Sequence, residues 1–251
     1  MLEAYVRDAR PSDLEKISEF AARAFADDPE MNWFGGLSTA IMDDNPPLSV
    51  RKLENLRIFL DSVNRSVTLV GGRVTVVAIP QGSGQEEIVA FAAWVPPHKV
   101  IEGTMTAIRA RTYRSLFSWG FSFRTTVVFK PTIGAIVKEV LQSKGYQSTD
   151  HYRLEITATD PDYQGKGYCR LLMKEGFSTC QSKPITLEAT TAHSRDVYAH
   201  LGFEVVESLT LGKGQVNNRG LRIAKGEPAT GFPVYVMIKW SSTDVTENAG
   251  D

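Results

Sequence analysis

Apolar residues along this chain change their spacing several times, and each change marks an element. Leu14, Ile17, Phe20, Ala21, Ala24 and Phe25 recur at helical intervals after a short strand candidate, Ala4–Arg7. Ser12, with Glu15 three residues on, reads as the helix entrance, and Asp27-Asp28-Pro29 as its stop. Residues 31–47 carry Gly35-Gly36 and Pro46-Pro47 and read as loop, although Met31, Trp33 and Phe34 lie within them. Val50–Val63 has helical spacing. Val67–Val70 and Arg73–Ile79 read as strands paired across Gly71-Gly72, Gln81–Gln85 as a turn, and Ile88–Val95 as a buried strand stopped by Pro96-Pro97.

From His98 to Tyr146 the pattern predicts helices, over Ile101–Phe117 and Thr132–Lys144, with an ambiguous aromatic run between them. That is long for a connection between neighbouring strands. It reads either as a packed helical subdomain or as a cap over a pocket. Tyr152–Thr159 then alternates as a strand should, with Leu154, Ile156 and Ala158 on one face and Arg153, Glu155 and Thr157 on the other. Gly167–Cys180 reads as helix, Ile185–Ala189 as strand, His193–Leu201 as helix, and Phe203–Leu211 and Phe232–Trp240 as strands. The pattern shows neither repeats nor a low-complexity linker, so residues 1–240 are expected to form one domain with an insertion at about 98–147. Residues 241–251 are expected to be a polar tail.

Composition narrows the function classes. The chain has 251 residues, 42 % hydrophobic and 23 % charged, enough to bury a core without disulfides or metal. A formal net charge of -1 gives no strong field for nucleic acid or membrane. Lys99, Arg109, Arg111 and Arg114 form one local basic cluster, read as a solvated helix face in preference to a polyanion site, with a modest local role toward a phosphate-bearing ligand left open. Cys169 and Cys180 stand in no metal-ligand spacing and read as reduced thiols. The first residues lack an apolar signal core and no membrane-length apolar run occurs, so a cytoplasmic location without membrane or nucleic-acid partners is expected.

The chemistry concentrates at residues 159–169. A strand ending at Thr159 meets Asp160-Pro161-Asp162-Tyr163, then Gln164-Gly165-Lys166-Gly167-Tyr168-Cys169 at the start of a helix. Two glycines let backbone turn tightly beside a ligand. The first N–H groups of a helix lack intrahelical partners and lie at its positive end, which suits a pyrophosphate. The run is not a phosphate-binding GK[S/T] loop. It is not the dinucleotide fingerprint either, because Arg170 occupies the place of the third glycine.

Thr159–Cys169 resembles the acyl-CoA signature of the GCN5-related N-acetyltransferase (GNAT) superfamily, Gln or Arg, two residues, Gly, one residue, Gly or Ala. Gln164 and Gly167 match it, and Cys169 departs from the final small residue. The later run LEATTAHSRDVYAHLGFEVV resembles the same family's Tyr-x-x-x-Gly-Phe block through Tyr198, Gly202 and Phe203, with Ser194 where many members have Asn. The opening RDARPSDLEKI is also similar; residues 98–146 are not.

The resemblance implies an α/β (α+β) fold: one domain with a central, mixed, mostly antiparallel sheet, two splayed parallel strands in its middle, and helices on both faces. It implies acetyl-CoA as acyl donor. The pantetheine arm would pair with Thr157, Ala158 and Thr159. Gln164 and the backbone of Gly165, Lys166, Gly167, Tyr168 and Cys169 would hold the pyrophosphate, and Ser194 would reach the cofactor. Tyr198 would protonate the leaving thiolate. A general base is needed to free the attacking amine, and Glu155 and His151 are the candidates. Trp33, Phe34, Trp119, Phe121 and Phe123 either shape a pocket or pack in the core. The expected acceptor is the primary amine of a small molecule, and the expected assembly is a monomer or homodimer. A protein lysine or N-terminus is the alternative acceptor, and a non-catalytic CoA-binding module the alternative role.

Overall fold

The computed structural model describes residues 3–82, 84–119, 124–180, 182–224 and 226–241. Phe121, Phe123 and most of the expected tail lie outside them. Strand β1 (Tyr5–Asp8) leads into helices α1 (Asp13–Ala24), α2 (Pro29–Gly35) and α3 (Leu48–Leu69). Strands β2 (Arg73–Gly82) and β3 (Gln85–Val95) follow. Helices α4 (Thr104–Arg109), α5 (Thr112–Ser118) and α6 (Lys130–Ser143) come next, with a π-helical segment at Arg124–Phe129 running into α6. The chain then forms β4 (Tyr152–Thr159), α7 (Tyr168–Thr179), β5 (Ile185–Ala189), α8 (Ala192–His200), β6 (Glu204–Leu211) and β7 (Phe232–Lys239).

The strands make one sheet in the order β1-β2-β3-β4-β5-β7-β6. Every neighbouring pair is antiparallel except β4 and β5. One face carries α1 and α3 on a core that includes Phe20, Leu60, Phe91 and Phe232. The other carries α7 over Trp94, Leu172, Met173 and Leu187. Both faces are covered, which is why the central strands are rich in apolar residues. Gly176 makes the second layer close: a Cβ there would stand 2.3 Å from the Trp94 ring. Among the described residues no helix is long and apolar enough to cross a membrane, and no cluster of His, Cys, Asp or Glu could hold a metal ion.

Four expectations are corrected. Ser12 precedes α1 but makes no side-chain cap bond. Instead, the Asp13 carboxylate accepts from the Arg10 N–H at 2.7 Å and pairs with Arg7 at 2.6 Å. The stretch read as loop from Met31 begins inside α2. Asp28 accepts from the N–H groups of Glu30 and Met31 at 2.9 and 3.0 Å, Pro29 occupies the first turn, and Gly36 closes the helix at φ 60°. The breakers that ended one helix thus bracket the next.

Val67–Val70 is not a strand but the end of α3, whose buried face continues through Leu56, Leu60 and Val67. Gly71, at φ 83°, ends that helix, and β2 turns into β3 at Gly82 and Gly84 instead. Last, the two faces expected for β4 do not hold along its length. Ile156 pairs with Ala93 but Leu154 with Trp94, so Glu155 is an extra residue, a β-bulge. Leu154 packs in the α7 layer, whereas Ile156 and Ala158 pack in the other.

Candidate active site

The bulge sits where the sheet opens. β4 and β5 pair only at Tyr152–Ile185 and Arg153–Thr186. Beyond that point β4 stays paired to β3 through Thr159, and β5 to β7 through Ala189. The two parallel strands therefore part, leaving the inner edges of Ile156–Thr159 and Leu187–Ala189 unpaired with each other. Such an edge offers backbone donors and acceptors to an extended ligand.

The Gly-rich loop lies at the end of β4. Asp160 is buried, accepts from the Asp162 N–H, and pairs with Arg23 of α1 at 2.7 Å. This pins the loop's entrance to the first helix. Gln164 then reaches back to the Thr159 carbonyl at 3.4 Å, and Lys166 lies over the Tyr163 ring at 4.3 Å. Gly165 and Gly167 have φ of 76° and 82°, a conformation that costs other residues energy, and a Cβ at either would meet nothing within 4 Å. Gly167 is also the N-cap of α7 and supplies no side-chain cap bond. Asp28 and Thr191, by contrast, cap their own helices with side chains. The first N–H groups of α7 thus receive no side-chain cap, the backbone beside them leaves room at Gly165 and Gly167, and these residues fit a pyrophosphate.

On α8, Ser194 closes a capping box: its N–H donates to Thr191 Oγ1 at 3.0 Å and its hydroxyl accepts from the Thr191 N–H at 3.2 Å. Tyr198 is half-buried, edge-on to Phe203 at 5.8 Å. Burial, reinforced by the neighbouring Cys169, pushes its hydroxyl above the ordinary phenol value. Burial also raises the Cys169 thiol, so that side chain is poorly suited to act as a thiolate nucleophile.

Across the sheet lies a cavity of about 450 Å³, walled by α2, α3, the helices of the inserted segment, and the bulged part of β4. Four carboxylates line it, Glu30, Glu102, Glu155 and Glu188, against two cations, Lys130 and Arg153. Arg153 ties the parting strands together, with ion pairs of 3.0 Å to both Glu155 and Glu188. Lys130 pairs with Glu102 and stands 3.9 Å from Glu155.

Glu30 differs from the others in having no ion pair among the described residues, although Glu188 Oε1 is likewise without a hydrogen-bond partner. It is 9 % exposed, and its Oε1 has no hydrogen-bond partner among the described residues. Burial first, then the negative charges of Asp28 and Glu188, raises its carboxyl well above the ordinary value. Glu188 is raised too, by burial against the opposing pull of Arg153. Asp28 accepts from Thr190 Oγ1 at 2.5 Å, fixing the start of α2, and with it Glu30, to the end of β5.

The candidates expected from sequence are thus sorted. Glu155 lines the cavity but is held by Arg153 and Lys130. His151 lines an adjoining cavity of about 280 Å³ that shares Glu102, Lys130, Arg153, Glu155 and Glu188 with the first, and burial and then Arg153 lower this histidine to about 4. Glu30 and Glu188 went unrecognised. The usable signal for Glu30 was Asp28-Pro29-Glu30, a helix start. Of the aromatics, Phe34 and Trp119 line the cavity, whereas Trp33 packs against Phe232 at 5.8 Å.

Residues 129–216 match the family described as the acetyltransferase (GNAT) domain. An uncharacterized N-acetyltransferase of Schizosaccharomyces pombe is 25 % identical over 129 residues, 50 % of this chain and 51 % of the relative. The chain thus spans about half the length of that curated relative. Two solved structures share the fold. A histone acetyltransferase HPA2 and related acetyltransferase from Corynebacterium glutamicum has TM-score 0.56 at 20 % identity, covering 96 % of this chain and 98 % of that one. Drosophila melanogaster polyamine N acetyltransferase has TM-score 0.51 at 14 % identity, covering 95 % of this chain and 100 % of that one. Residues 129–216 thus carry a match to the acetyltransferase (GNAT) domain, and the chain as a whole shares the fold of solved acetyltransferases.

Proposed function

We propose that this protein transfers the acetyl group of acetyl-CoA to the primary amine of a small molecule by direct attack on the thioester. The observation that carries this reading is the gap between β4 and β5, with the Gly-rich loop at its end and the acidic cavity alongside it. Acetyl-CoA supplies the activated acyl group. The edge of Thr157, Ala158 and Thr159 would align its pantetheine arm. Gln164, Lys166 and the N–H groups from Gly165 to Cys169 would hold its pyrophosphate, and Ser194 would approach it from α8.

The chain's own residues then divide the proton work. The incoming ammonium must lose a proton, and Glu30 is the best-placed acceptor: buried, unpartnered and raised toward the range a general base needs. The freed nitrogen attacks the carbonyl carbon; a C–N bond forms and the C–S bond breaks. Tyr198, whose raised hydroxyl keeps its proton, donates to the departing sulfur. It regains one from the newly acylated nitrogen. Glu155, through Arg153, steadies the floor of the cavity.

A cavity of about 450 Å³, partly covered by the inserted helices, favours a small acceptor over a protein chain. The polyamine acetyltransferase among the structural neighbours is in keeping with small amines as acceptors. Acetyl-CoA should raise the melting temperature and protect the amides of Gly165–Cys169 from hydrogen exchange. Absence of both effects would remove the acyl-CoA reading.

A further inference from the structure

The charged groups of the cavity form one connected network. Arg153 joins Glu155 and Glu188, Lys130 joins Glu102 and Glu155, and Glu30 feels both Glu155 and Glu188. All the remaining lining residues are apolar or hydroxyl-bearing. Phe34, Phe59, Val63, Trp119 and Phe129 give the apolar wall its bulk, and it carries no second carboxylate centre. The wall also extends outward, since Ile108 and Tyr113 line the cavity while remaining 58 % and 52 % exposed.

Resting on the acetyltransferase reading, we infer that the acceptor is a primary monoamine, one ammonium at the end of an apolar body. Its cation meets the carboxylate network at Glu30. Its body lies along the apolar wall, and a longer body leaves between Ile108 and Tyr113. Carboxylates outnumber cations in the network, so it attracts an incoming ammonium. A second ammonium, at the far end of a diamine, would lie among aromatic rings with no carboxylate to receive it. A buried charge without a partner is strongly disfavoured.

Heptylamine and 1,6-diaminohexane test this directly, because they have the same length and differ by a terminal methyl against a second ammonium. Thiol release from acetyl-CoA by the full chain is expected to show heptylamine favoured by about tenfold or more in kcat/KM, the size expected when a site leaves a polar group unpaired. Equal or better use of the diamine, or turnover only with a lysine-containing peptide, overturns the monoamine assignment and leaves the acetyltransferase reading standing. Acetyl-CoA binding without turnover of either amine also overturns the assignment. Absence of acetyl-CoA binding, read by thermal shift, overturns both.

Discussion

Replacing Glu30 by glutamine keeps the shape of the side chain and removes its charge. Wild-type Glu30 is buried with one oxygen unpartnered, and its carboxyl is raised well above the ordinary value by burial and by Asp28 and Glu188. Between the unfolded and folded values, the folded protein therefore holds a proton that the unfolded chain has already released. Stability is full below the unfolded carboxylate value and declines as pH rises toward the folded one. Glu30→Gln removes that decline. The variant should be the more stable protein at alkaline pH, by about 1–3 kcal/mol, the usual cost of an unsatisfied buried polar group. Each kcal/mol corresponds to about 2–4 °C for a chain of this size.

Activity should move the other way. Loss of a general base costs about 10²–10⁴ in rate, or roughly 3–5 kcal/mol of barrier. Thiol release across pH, with calorimetry at one acidic and one alkaline pH, measures both quantities. The wild-type rate should fall as acid protonates Glu30, and the variant should lack that limb. A variant with wild-type turnover, or one destabilised equally at both pH values, would refute the role given to Glu30.

Arg153→Met leaves Glu188 without its counter-ion and Glu155 with only the more distant Lys130, so denaturant unfolding should show a loss of about 3–5 kcal/mol, partly recovered in acid. Gly167→Ala places a side chain at φ 82° with no steric neighbour, so the fold should lose only about 1 kcal/mol while titration calorimetry shows weaker acetyl-CoA binding. An unchanged affinity would separate that loop from the pyrophosphate. Tyr198→Phe should lower turnover more than it weakens acetyl-CoA binding; unchanged turnover would take Tyr198 out of the proton path.

The parts of the fold legible in sequence are those set by local period and by a motif. β4 and β5 were bounded correctly because alternation and flanking polar residues agree there. α2 was invisible because Asp28-Pro29 and Gly35-Gly36 carry the same letters whether they stop a helix or bracket one. Val67–Val70 misled because β-branched residues suit strands in isolation, while Val67 completes the buried face of α3. The bulge at Glu155 was equally hidden. It depends on how β4 registers against β3, a long-range pairing that no window of β4 contains. The same limit explains the site. The loop residues lie together in sequence, but Glu30 and Glu188 become neighbours only when α2 is tied to the end of β5 through Asp28 and Thr190.

The contact between Gly176 and Trp94 governs more than packing density. α7 begins at the Gly-rich loop, so how deeply its far end sinks onto β3 sets the angle of the whole helix. A methyl group at Gly176 would act as a wedge under one end of a lever whose other end carries the phosphate donors. Affinity for the acyl-CoA proposed above should therefore respond to a substitution beneath the sheet-facing side of α7, about two turns from the proposed phosphate donors.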